Sequence, residues 1–130
     1  MEEPIIHYSR TGGFAGLKQG LRIYDSGLAV IKSQNNERKR WLGEEKVHAL
    51  TDLFEQNHFF TLHPQYNTPN CCDAFRYTIT LTKAGQTHHV ETNDLSRAPP
   101  QLVAIQGALE NILRTELRKL IDESSSQNRP

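Results

Sequence analysis

From Phe75 to Leu81 every second residue is large and apolar: Phe75, Tyr77, Ile79 and Leu81, with Arg76, Thr78 and Thr80 between them. A period of two sends successive side chains to opposite faces of a strand, so one face is built for burial and the other for water. The pattern recurs earlier, where Leu17, Gln19, Leu21 and Ile23 alternate with Lys18, Gly20, Arg22 and Tyr24. Both segments fit half-buried strands. Residues 5–10 are rich in β-branched and aromatic side chains and form a first short strand. Asp25-Ser26-Gly27 is a turn signal, and residues 28–34 resume as a third strand, so the second and third pair as a hairpin. Lys83-Ala84-Gly85 turns the Phe75 strand back into residues 86–91.

Two segments carry the other period. Residues 44–56 place Val47, Leu50 and Phe54, with Leu53 alongside, on one helical stripe. Gly43 stands at the N-cap, Glu44 and Glu45 suit the positive helix end, and Asn57 stops it. Leu42 and Val47 have the hydrophobic-staple spacing. Phe59, Phe60 and Leu62 follow as an apolar segment read as core. After a loop over residues 93–100, Pro99 or Pro100 opens a long second helix lined by Leu102, Ile105, Leu109, Ile112, Leu113, Leu117 and Leu120. Gly107 in its interior suggests a close crossing of the sheet. The polar run 34–40, Gln-Asn-Asn-Glu-Arg-Lys-Arg, reads as an exposed loop. The expected fold is α+β: an antiparallel sheet of about five strands, in the order β-β-β-α-β-β-α, with two helices packed on it. One domain is expected over residues 1–123, with a disordered tail over 124–130.

Composition narrows function. Lysine plus arginine equals aspartate plus glutamate, 15 each, so the net charge is zero. That balance argues against nucleic acid as a partner, and Arg38-Lys39-Arg40 is too short to restore it. No apolar run approaches the roughly 20 residues of a membrane helix, and Met-Glu-Glu-Pro is not a signal peptide. Cys71 and Cys72 are adjacent, a geometry closed to an ordinary disulfide, which favours a reducing, cytoplasmic setting. His88 and His89 point to opposite faces of a strand and cannot share an ion, and no zinc-ligand spacing occurs. No cofactor is expected. Cys71 or Cys72 beside His63 or His88 lacks any signature of a nucleophile and its base. Asp73 and Arg76 read as a structural pair.

The remaining feature is Gly12-Gly13-Phe14-Ala15-Gly16, which lacks the Gly-Lys-Ser/Thr ending of a phosphate loop and leads into a strand rather than a helix. Its glycines allow positive φ or close approach to a partner. Two readings of Phe14 stand: a hydrophobic finger on a shaped loop, or a side chain folded back onto the core with the glycines forming a bulge.

Taken together, Tyr8-Ser9-Arg10-Thr11-Gly12-Gly13-Phe14-Ala15-Gly16, the helix running into Phe59-Phe60-x-Leu62, Asp73-x-Phe75-x-Tyr77 and Pro99-x-x-Leu102 resemble the emfourin-like family of thermolysin-like metalloprotease inhibitors. The chain departs from the family around residues 36–40, at Cys71-Cys72 and beyond Leu113. The resemblance implies a non-enzymatic protein, a monomer when free, whose partner is a thermolysin-like zinc metalloprotease. It implies a binding segment made of Tyr8, Arg10, Thr11, Gly12, Gly13, Phe14, Ala15 and Gly16. Three other readings compete: a non-inhibitory interaction module of the same fold, a small cysteine enzyme, and a domain binding a ligand between sheet and helices.

Overall fold

A computed structural model describes residues 3–12, 17–66, 75–93 and 98–127, with Leu17, Phe75 and residues 120–127 described by their backbone alone. The alternating segments are strands: β1 (Ile6–Gly12), β2 (Leu17–Ile23), β3 (Leu28–Ser33), β5 (Phe75–Lys83) and β6 (Gln86–Thr92). A further strand, β4 (Asn36–Trp41), lies where the sequence suggested a loop. Its polarity has a physical reason. β4 is an edge strand, paired with β3 from Leu28↔Trp41 to Ser33↔Asn36, and charged side chains on an edge discourage further pairing. The two-residue turn at Gln34-Asn35 places Gln34 at φ 57°, a left-handed conformation of the kind hairpin turns use.

The six strands among the described residues form one antiparallel sheet in the order β4-β3-β2-β1-β5-β6. The first strand in the chain is therefore an inner strand, flanked by its sequence neighbour β2 and by the distant β5. Register aligns Ile31, Leu21, Tyr8, Ile79 and Val90 across the inner face, with Ala29, Ile23, Ile6 and Leu81 in a second row. These residues pack in one core with α1 (Glu44–Gln56) and α2 (Pro100–Gln127). α1 buries Val47, Leu50, Thr51 and Phe54, and α2 buries Leu102, Ile105, Leu109, Ile112 and Leu113. The other sheet face carries His7, Lys18, Lys32 and His89, all exposed.

Local signals act as expected at several points. Gly43 is the N-cap of α1 with φ 95°, and Asn57 closes the helix with its side-chain amide donating to the Leu53 carbonyl at 2.9 Å. Gly27, at φ 105°, is demanded twice over: a Cβ there would stand 2.8 Å from the Gly43 carbonyl carbon. That contact exists because the Gly27 carbonyl accepts from the amides of Leu42 and Gly43 at 2.8 and 3.2 Å, tying the β2–β3 turn to the start of α1. Phe59 opens a short 3₁₀ turn (Phe59–Thr61) and stacks edge-on against Phe54, centroids 4.9 Å apart. His88 and His89 do point to opposite faces: His88 reaches the Leu62 carbonyl at 2.8 Å and His89 the Thr80 hydroxyl at 2.8 Å.

Two further expectations need correction. Gly107 faces solvent, and a Cβ there would meet nothing within 4 Å, so no close crossing explains it. α2 continues to Gln127, through the first four residues of the expected tail; helical hydrogen bonding there carries on beyond the apolar stripe that signalled the helix. Residues 128–130, Cys71-Cys72 and Asp73 lie outside the described residues. Arg76, expected to pair with Asp73, forms an ion pair with Glu91 at 3.2 Å.

Candidate functional site: the β1–β2 end of the sheet

The last residue of β1, Gly12, has ladder partners on both sides, Leu17 in β2 and Phe75 in β5. Its φ of 117° suits glycine and strains other residues. Residues 13–16 thus leave and rejoin the sheet at a stem braced on two sides. The sheet ends that border residues 67–74 and 94–97 lie nearby, because Phe75 is opposite Gly12 and Tyr77 is opposite Thr92. Gly13, Phe14, Ala15 and Gly16 are outside the described residues, so the site is defined here by its stem.

Parity decides what the stem residues do. Tyr8 and Arg10 share the inward parity of Ile6, while Ser9 and Thr11 take the outer face. Tyr8, expected at the contact surface, is fully buried. Its hydroxyl donates to Glu110 Oε2 at 2.6 Å and accepts from Gln106 Nε2 at 2.8 Å. Burial, then the hydrogen bond and charge of Glu110, push the Tyr8 phenol far above its ordinary value. Tyr77, the ladder partner of Arg10, is raised too, by burial first and Glu110 second. Arg10 lies between β2 and α2: its guanidinium donates to Glu110 Oε1 and to Gln19 Oε1. Glu110 Oε1 also accepts from Arg114 Nε at 3.1 Å. Thr11 is half-buried on the outer face.

Sequence reasoning did not single out Gln106 or Glu110, and it placed Gln19 only as one position on the strand face it shares with Leu21 and Ile23. One signal was available: Gln106 and Glu110 sit four apart, beside Ile105 and Leu109, within the arc of α2 that faces the sheet. Among the described residues no group of three or more His, Cys, Asp or Glu side chains is placed to hold a metal ion. No helix among the described residues is long and apolar enough to cross a membrane.

What the fold and stem define is an α+β protein in which Gly12, opposite Leu17 and Phe75, closes the described part of β1 at one end of an antiparallel sheet. The sequence model of the emfourin family matches residues 8–123, nearly the whole of that fold, and the chain belongs to the emfourin family. Family membership implies a function of the metalloprotease-inhibitor kind. No curated protein matches the chain significantly.

Proposed function

We propose that this protein inhibits a thermolysin-like zinc metalloprotease by occluding its active-site cleft with the Gly-rich loop around Phe14. The observation that carries the reading is the stem: Gly12 paired with Leu17 on one side and Phe75 on the other. A loop held between paired strands gives up little freedom on binding, which favours affinity. Phe14 fills an apolar specificity pocket of the protease, as a central aromatic anchor does. The loop holds no good zinc ligand, so the mode is occlusion rather than chelation, and no metal or cofactor belongs to the inhibitor. In this reading the protein is a cytoplasmic monomer until it meets its target.

The test is to titrate thermolysin and related proteases with the protein and follow cleavage of a fluorogenic peptide. Stoichiometric loss of activity supports the reading. Full activity across several such proteases, with the protein shown to be folded, overturns it in favour of a non-inhibitory interaction module. Phe14→Ala should weaken inhibition by about 2 kcal/mol or more, roughly thirty-fold in the inhibition constant. An unchanged constant for the folded variant would remove Phe14 from the mechanism.

A further inference from the structure

The inner face of the sheet changes character between two successive inward positions of β1, Tyr8 and Arg10. The Tyr8 row is apolar, with Leu21, Ile31, Ile79 and Val90 as its neighbours. The Arg10 row is polar: Gln19 and Ser33 lie to one side, Tyr77 and Thr92 to the other. The next inward position is Gly12, the stem. Above the boundary, α2 presents Gln106, Glu110 and Arg114, each four residues from the next and so on one helical face.

The Arg10 guanidinium binds its cross-strand partner Gln19 in β2 and, at the same time, Glu110 in α2. Glu110 takes Arg10 and Arg114 on one oxygen and Tyr8 on the other. The side chains of Arg10 and Glu110 are only 15% and 10% exposed. A buried ion pair is a poor device for stability, since apolar residues of similar volume fill such a site with no cost in desolvation. What the polar set adds is direction. Hydrogen bonds of fixed geometry hold both strands of one hairpin to one helix, two residues from the point where residues 13–16 depart.

We propose that Arg10 and Glu110 are positioning residues, a clamp that fixes the β1–β2 stem against α2 and thereby sets the strength of protease binding. The binding half of this inference rests on the inhibitor reading; the structural half does not.

Two variants test it: Glu110→Gln, which keeps shape and removes charge, and the apolar double variant Arg10→Met/Glu110→Leu, which keeps the site filled. Three quantities are measured on the full chain: thermal midpoint, amide hydrogen exchange at Thr11, Gly12 and Lys18 relative to Ile31 and Ile79, and the inhibition constant against a thermolysin-like protease. The double variant should stay folded, with a thermal midpoint lowered by the loss of the acceptor for the buried Tyr8 hydroxyl. Its stem amides should exchange about ten-fold faster relative to the core, and its inhibition should weaken about ten-fold. Glu110→Gln should loosen the stem in the same sense, and if it does not fold the double variant decides alone. A folded double variant with parental stem exchange overturns the clamp; so does a loosened stem with parental inhibition. If the parent inhibits no such protease, stem exchange decides. A loosened stem then keeps the structural clamp and removes only the inhibitor reading.

Discussion

Tyr8 shows how much a single side chain can report. Its phenol is buried and held by Glu110 and Gln106. The folded chain keeps that proton more tightly than the unfolded one does. The stabilisation is full below the ordinary phenol value of 10.0 and is lost as pH climbs above it. In a spectrophotometric titration, the phenolate signal that Tyr8→Phe removes should rise together with alkaline unfolding. A Tyr8 signal that rises at the ordinary value while the fold is intact would contradict the burial. Legibility at this scale was uneven. Gly43 and Asn57 could be read in advance because caps are local. Arg10 could not: its parity with Ile6 and Tyr8 is visible in the sequence, but a charge at that parity reads as solvent-facing until its partner on a helix a hundred residues away is known.

Among the elements, β4 and α2 departed most from expectation, for different reasons. β4 is polar because it is an edge. Its charged residues discourage a seventh strand, and Arg40 also reaches Glu116 of α2 at 3.1 Å. Replacing Arg38 with Val and Lys39 with Thr should therefore yield concentration-dependent association, read by analytical ultracentrifugation. A double variant that sediments like the parent at every concentration would show that edge charge is not what limits pairing. α2 carries Gly107 on its solvent side with open space around the Cα. Gly107→Ala should raise stability by about 0.5–1 kcal/mol in a denaturant titration. A loss of stability would contradict the open surroundings of this position in the free protein.

For the molecule as a whole, the fold class was legible because antiparallel hairpins and amphipathic helices announce themselves over short stretches. Strand order was not. The pairings β2–β3 and β5–β6 follow from turns, whereas β1–β5 joins Ile6 to Leu81 and Gly12 to Phe75, and no local signal specifies a pairing of that reach. The family motif was recognised from the residues around Phe14, and the packing beneath its stem was not, since the Arg10–Glu110 contact crosses from sheet to helix. That distant pairing has a consequence in time. Closing so long a loop is entropically costly and slow. While β5 is still unsynthesised, one edge of β1 has nothing to pair with, and open strand edges invite aggregation. An isolated β1–β4 meander would lack both β5 and the helix that holds Arg10, so it would not be a smaller working copy of the protein. The hairpin bearing residues 13–16 is thus made first among the elements of the sheet and set in place last.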